Sequence, residues 1–380
     1  MGKIYDEAIG FSAIYRAIHE CSKGVKWKES VLNNYLHPCR AARVIIESFK
    51  KGEPYKPLPY HKFMVKEPKV REIYSTRFRD RVIQRAMLNS GLYRLLTKRL
   101  IYDNFACQKG KGTDMAIRRL KKHLINYYKK NGGRGYICQI DIRKFFPSIP
   151  HIVAKEALKR CIKIDEEALQ FCYDIIDYFE DQSEKYGYDS SFGRRGIAPG
   201  SEFSQLVALN VLDPIDHFVK DELGIKHYIR YMDDIIFFHE DQQTAKEIYA
   251  KIKKRIELLG LEVNEKSRVR PIKHGLTFLK FKFKFNNNGR LIVKIDDKNM
   301  KKERRKLKSY KSMFDRKIVR LDLVYSNLMS WSDHLKYANA GMIRKSIHDF
   351  ANKLFGIKFF LGKSKIQSKL RKTAMMKRFG

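Results

Sequence analysis

An α+β fold follows from three features of the chain. Short apolar runs rich in β-branched and aromatic residues, at 136–142, 227–238 and 276–295, alternate with longer segments of helical periodicity. Turn-forming residues separate the extended runs, most plainly Asn286-Asn-Asn-Gly289. At 380 residues, 43% hydrophobic and with 24 Phe and 21 Tyr, the chain can bury the cores of two or three subdomains.

Residues 1 to about 55 carry apolar positions at helical spacing: Ala8, Ile9, Phe11, Ile14, Tyr15 and Ile18, then Val31, Leu32 and Tyr35, then Ala42, Val44 and Ile45. His37-Pro38 interrupts them, which predicts two or more helices. A connector with Pro54, Pro57 and Pro59 follows, and 61–74 alternates as a hairpin turning near Pro68. Val82, Ile83, Ala86, Met87 and Leu92 predict a helix over about 79–100. The run 136–142 reads as a strand entered through Gly132-Gly133. Helical periodicity returns over 152–180, 181–201 reads as a loop or short hairpin, and 203–221 is helical again. Residues 227–238 form two short strands reversing at Met232-Asp233-Asp234. A helix over about 243–259 stops at Gly260, a natural C-terminal cap, and 276–295 supplies further strands.

Charge narrows the partner class. Lys and Arg number 79 against 42 Asp and Glu, a net +37, which calls for a polyanion because self-repulsion opposes compactness. The last 80 residues hold 22 basic and 5 acidic side chains, +17 by subtraction, interleaved with Tyr310, Phe314, Trp331, Tyr337, Phe350, Phe355 and Phe359. That mixture of a core stripe and a basic face suits a surface gripping a nucleic-acid backbone. No run of ~18 apolar residues predicts a membrane span, and the first residues lack a signal peptide's apolar core. Nucleic acid is favoured over membrane. Cys21, Cys39, Cys107, Cys138, Cys161 and Cys172 show no zinc or disulfide spacing, so they are expected to be reduced, in a cytoplasmic protein. The loop Lys109-Gly-Lys-Gly-Thr113 lacks the spacing of a nucleotide-binding P-loop and is expected to approach template backbone.

Three acids carry the chemistry. Asp233 and Asp234 sit within an otherwise greasy hairpin, where unpaired charge costs several kcal/mol. Asp141 ends the apolar run Ile137-Cys-Gln-Ile140. Carboxylates brought from separate strands are what two-metal phosphoryl transfer requires, with ions ~3.5–4 Å apart. Hard oxygen ligands of this kind suit Mg²⁺.

With these residues in hand, the chain resembles the reverse transcriptases, specifically the prokaryotic ones. The motifs are Tyr231-Met-Asp-Asp234, Asp141-x-x-x-Phe-Phe146-x-Ser-Ile149, and Gly196-Ile-Ala-Pro-Gly-Ser-Glu-Phe-Ser-Gln205. To them are added Glu67-Pro-Lys-Val-Arg71, Asp80-Arg-Val-Ile-Gln84, Gly260-Leu-Glu-Val-Asn-Glu-Lys266 and Phe278-Leu-Lys-Phe281. Seven collinear matches span about 61–285. The resemblance implies a right-hand polymerase with an N-terminal helical extension (1–60) and fingers (61–135). A palm (136–290, with a returning fingers segment at about 150–200) and a basic helical thumb with a tail (291–380) complete it. It implies an RNA-directed DNA polymerase extending a 3′-hydroxyl primer with dNTPs, using two Mg²⁺ ions, for which Mn²⁺ is a possible substitute.

Carried over residue by residue, Asp141, Asp233 and Asp234 match the metal-binding carboxylates, assisted by the backbone of Ile142. Phe146 matches the steric gate against a ribose 2′-hydroxyl, with core packing as the plainer reading. Lys69 and Arg71 match the residues that clamp the incoming triphosphate, where Arg gives bidentate and Lys point-charge contacts. Gly200, Ser204 and Gln205 match the segment beneath the templating pair. Lys266 matches a lysine near the pyrophosphate and reads equally well as a surface lysine. Tyr231 and Met232, with Leu279, Lys280 and Phe281 of the primer grip, would face primer and template.

Ser204-Gln205, together with Asp103-Asn-Phe-Ala-Cys-Gln-Lys-Gly-Lys-Gly-Thr113, looks closest to diversity-generating retroelement and phage-defence reverse transcriptases. Ala198-Pro199 and Ser201 depart from the diversity-generating pattern, where an Ile-Gly-Asn core is usual. After the thumb no room is expected for maturase or endonuclease modules. The resemblance therefore implies a standalone enzyme working on a dedicated structured RNA in a retroelement or antiviral defence system. An accessory protein and protein priming stay open. The alternatives are a catalytically silent RNA-binding module, a mutagenic diversity-generating enzyme and an RNA-templated RNA polymerase.

Overall fold

Apolar spacing organises the N-terminal residues into α1 (Ile4–Ala8), α2 (Phe11–Ser22), α3 (Glu29–Leu36) and α4 (Pro38–Glu47). Pro38 takes the first turn of α4, where its missing N–H costs nothing, so His37-Pro38 divides two helices. The computed structural model describes residues 4–49, 53–65, 70–295, 297–357 and 359. The expected hairpin is β1 (His61–Val65) paired antiparallel with β2 (Arg71–Ser75); the turn around Pro68 lies outside the described residues. Buried Asp80 fastens the proline-rich connector, accepting from the Tyr55 hydroxyl at 2.6 Å and the Leu58 N–H at 2.9 Å.

The helix expected over 79–100 is broken into α5 (Phe78–Met87), a π turn at Leu88–Leu92 and α6 (Tyr93–Thr97). Gly91 causes the break: its φ of 129° is open to glycine, and a Cβ there would press on Ile4 at 3.2 Å. A helix that the sequence reading passed over, α7 (Thr113–Asn131), stands between two glycine pairs that had looked like loop.

Then come β3 (Tyr136–Ile140), α8 (Phe145–Ser148), α9 (His151–Cys161), α10 (Glu166–Tyr178), α11 (Ser183–Tyr186), α12 (Glu202–Val211) and α13 (Asp213–His217). The strands β4 (Tyr228–Tyr231) and β5 (Asp234–His239) precede α14 (Gln242–Leu258) and β6 (Arg268–Pro271). These strands form one sheet in the order β4-β5-β3-β6. Ile235, Phe237, Ile140 and Cys138 bury into a core shared with α9, α12 and α14. As expected, Gly260 follows α14 in a left-handed conformation (φ 70°).

The chain divides into two compact units. The first is Met1–Arg119 with Gly135–Arg270 and contains the sheet just described. The second is Leu120–Arg134 with the chain from Pro271 onward. It holds β7 (Leu276–Phe278), β8 (Phe281–Phe285) and β9 (Leu291–Ile295), paired in that order. Helices α15 (Asp297–Asp315), α16 (Leu321–His334) and α17 (Gly341–Phe355) surround Leu307, Val324, Leu328, Ile347 and Ala351. Tyr128 at the end of α7 stacks on Phe285 with 4.3 Å between centroids. Gly133 and Gly289 make room for it, since a Cβ on either would fall 2.8 Å from that ring. Among the described residues no helix is long and apolar enough to cross a membrane, and all six cysteines are free.

Candidate active site

The hairpin β4–β5 pairs Tyr231 with Asp234, leaving Met232 and Asp233 as its two-residue turn. Met232 has φ 58°, the left-handed conformation that such a turn demands, on a side chain that ordinarily avoids it. On the other flank of β5, Ile140 of β3 pairs with Ile235. One further step in that register sets Asp141 opposite Asp234. The three acids predicted from sequence therefore meet at one end of the sheet.

Their electrostatics are unfavourable as they stand. Partial burial, then Asp233, then Asp141 push the Asp234 carboxyl up to about 7; only the Gln139 side chain opposes the shift. Like charges around a half-buried carboxylate have this effect because each resists ionisation of the next. Asp141 is held in place by the segment after Gly260. Its Oδ2 accepts from Asn264 Nδ2 at 2.9 Å, and its backbone N–H donates to Ser267 Oγ at 3.0 Å. Ile142 bridges Val263 through bonds from Asn264 N to Asp141 O (2.7 Å) and from Arg143 N to Glu262 O (2.8 Å). Neither bond uses the Ile142 carbonyl.

Beneath the turn lies a cluster the sequence reading missed. Arg230 and Asp216 are both fully buried, at 0% exposure. The guanidinium donates to Asp216 twice, Nε at 2.7 Å and Nη2 at 2.6 Å, and to the carbonyls of Leu209 (3.0 Å) and Met232 (2.9 Å). The Tyr228 hydroxyl also donates to Asp216, at 2.6 Å. One arginine thus ties the strained turn residue to α13. An arginine inside the greasy run Tyr228-Ile-Arg-Tyr231 was the available signal, by the logic that flagged the aspartates.

The remaining motifs converge through backbone. Ile197 N donates to the Phe146 carbonyl at 3.1 Å and Gly196 N to the Ile149 carbonyl at 2.8 Å. Phe145 is buried, whereas the Phe146 ring is half-exposed. Gly200 has φ 114°, and a Cβ there would lie 3.6 Å from the Tyr74 carbonyl on β2. Ser201 caps α12 and donates to Gln84 Oε1 at 2.8 Å, which leaves Ser204 buried and Gln205 half-exposed. Gln205 lines a cavity of about 430 Å³ with Tyr93, Cys107, Lys109, Gly112 and Glu202.

The sequence profile of the family described as "Reverse transcriptase (RNA-dependent DNA polymerase)" matches residues 61–283, more than half of the chain. The chain belongs to the reverse transcriptase family. It is an RNA-directed DNA polymerase, a nucleotidyltransferase whose substrates are an RNA template and dNTPs, built on the polymerase palm fold. No curated protein matches the sequence.

Other predicted positions of this reverse transcriptase fall unevenly. Lys69 lies outside the described residues, and Arg71 opens β2. Lys266 is exposed. Leu279 and Lys280 form a two-residue turn at φ 49° and 71° between β7 and β8, in the second unit. Phe281, grouped with them from sequence, is a core residue there, 4.8 Å from the His334 ring and fully buried. In the loop 109–113, Lys109 is exposed. Lys111 turns inward, its ammonium donating to the carbonyls of Asn104 (2.8 Å), Tyr102 (3.0 Å) and Ile101 (3.3 Å), so it is not free for template phosphates.

Reverse transcriptases use divalent metal ions. Among the described residues no group of three His, Cys, Asp or Glu side chains is gathered closely enough to hold one as it stands. The donors nevertheless fit in chemistry. Hard carboxylate oxygens, with Asp234 held protonated first by burial and then by repulsion from Asp233 and Asp141, are a set that a divalent cation would relieve.

Proposed function

We propose that this chain is a prokaryotic-type reverse transcriptase that copies a dedicated structured RNA into cDNA, in a retroelement or antiviral defence system. The observation that carries the catalytic part is Asp141 set opposite Asp234, with Asp233 on the adjoining turn and Asp234 pushed up to about 7. Asp141, Asp233, Asp234 and the carbonyl of Ile142 would hold two Mg²⁺ ions. Those ions would lower the proton affinity of the primer 3′-hydroxyl and neutralise charge on the departing pyrophosphate.

The protein's own residues position the reactants. Tyr231, Met232 and the turn Leu279-Lys280 face primer and template, while Gly200, Ser204 and Gln205 support the templating pair. Phe146 meets the sugar of the incoming nucleotide where a 2′-hydroxyl would project. Lys69 and Arg71 clamp its phosphates, and Lys266 stands toward the pyrophosphate. The primer oxygen, its proton passed to solvent water, bonds to the α-phosphorus as the α–β anhydride breaks and pyrophosphate leaves. Fingers (61–135), palm (136–290) and thumb (291–380), with residues 1–60 as an N-terminal extension, are the proposed layout.

The test is Mg²⁺-dependent cDNA synthesis by purified protein with its native RNA, lost in Asp233→Ala. A protein that makes no DNA, or an Asp141→Ala variant that keeps full biological activity, would favour a silent RNA-binding module. Sequencing the copurifying nucleic acid separates a mutagenic template repeat from a defence-type noncoding RNA.

A further inference from the structure

Outside the matched residues, the N-terminal layer presents a feature that polymerisation does not use. Phe11, Tyr15 and His19 recur every four residues along one face of α2, and Tyr35 joins them from α3. Ring centroids are 5.9, 4.7 and 5.5 Å apart in that order. The Lys26 ammonium sits 3.4 Å from the Tyr35 centroid, and Lys28 lies 5.1 Å from that of Trp27. Trp27 is 77% exposed and Phe11 is 49% exposed. Between residues 11 and 40, Lys and Arg outnumber Asp and Glu five to two.

A ring cluster can serve only to seat α3 on α2. The inner rings, Tyr15, His19 and Tyr35, are half-buried and suit that task. Trp27 and Phe11 do not, because most of Trp27 and half of Phe11 stay in water. Exposed aromatic faces alternating with ammonium groups are what an unpaired strand requires: bases stack on rings while cations follow the phosphates. A duplex offers no free base faces. An acidic protein would match the charge but leave the rings unused.

We propose that the α2–α3 face, with Trp27 and Phe11 as stacking positions and Lys26 and Lys28 as phosphate contacts, is a platform for single-stranded RNA. It would hold the RNA at a place separate from the copied nucleotide. The platform rests on the chain's RNA template and is independent of the metal site.

The chain has only two tryptophans, so Trp331→Phe leaves Trp27 as the sole emitter. Titration with an unstructured 15-nucleotide oligouridine should quench Trp27 saturably, with affinity falling steeply as salt rises. A 15-base-pair duplex should not. Trp27→Ala in the otherwise natural chain should weaken oligouridine binding about tenfold without changing Tm. Extension of a primer on a template ending at the copied base should be unchanged. If Trp331→Phe fails to fold, fluorine NMR of the 5-fluorotryptophan-labelled natural chain gives the same readout, with Trp27→Phe assigning the resonance. A Trp27 signal unmoved by saturating oligouridine overturns the proposal. So does an equal response to duplex, or a response to anionic phosphatidylserine vesicles alone. Asp233→Asn should quench like the natural chain, so failure of the polymerase reading and failure of the platform give different results.

Discussion

Two charged clusters adjoin one hairpin turn and have opposite electrostatic character. Arg230 and Asp216 are fully buried and mutually compensated, the guanidinium bonding to the carboxylate and to two backbone carbonyls. Asp141, Asp233 and Asp234, a turn away, are of one sign, and Asp234 resists ionisation until about pH 7. The first cluster gains nothing from a ligand and fixes geometry. The second is costly alone and is relieved by a cation. The buried ion pair ties the Met232 carbonyl of the turn to α13 with no ion needed.

The largest effect expected from breaking this contrast is Asp233→Ala, which should lower Mg²⁺-dependent primer extension on the order of 10³-fold while leaving the far-ultraviolet circular dichroism unchanged. Next comes the compensated pair. Arg230→Met should cost about 3–5 kcal/mol of stability by stranding a buried carboxylate, read as denaturant midpoint. Adding Asp216→Leu should return much of that stability. Activity should not return with it, because the Met232 carbonyl would still lack its donor. Recovery of both would show that Arg230 is structural only.

The acidic cluster has a pH signature. Because the folded Asp234 holds its proton to about 7 while the unfolded chain releases it in the ordinary carboxylate range, metal-free stability should fall as pH rises between those values. The slope is at most about 1.4 kcal/mol per pH unit, levelling off above the folded value. Asp234→Asn should remove that slope, raising the metal-free Tm at pH 8 and not at pH 4. Mg²⁺ should raise the Tm of the natural chain more than that of Asp234→Asn. A flat metal-free profile in the natural chain would break the contrast. The smallest effect is at the proposed gate: Phe146→Ala should raise ribonucleotide incorporation by roughly tenfold to a hundredfold, measured as the ratio of kcat/KM for rNTP and dNTP.

Much of the site was legible because its residues break local rules. Acids in greasy strands conflict with their neighbours in sequence, and the conflict marks a job; Gly260 announced itself as a helix stop, and Gly200 came from the resemblance. Asp216 gave no such sign, since it lies inside the stretch 203–221 read as helical, where an Asp passes for a solvent-facing residue. Asn264 fell inside a recognised motif, yet its bond to Asp141 joins residues far apart in the chain. The helix α7 was missed because flanking glycines suggested loop, whereas Ala116, Ile117, Leu120 and Leu124 bury one face along it. Nothing in the basic, glycine-rich loop around Lys111 announces the three carbonyls that the fold brings to its ammonium.

By itself the sequence determined the α+β class, the three carboxylates and the polyanionic partner, because composition, periodicity and misplaced charge are local properties. Only the tertiary structure decided that Asp141 faces Asp234, that Arg230 holds the turn and that Lys111 is spoken for. Those depend on strand register and on burial, which pair residues that the chain itself keeps apart.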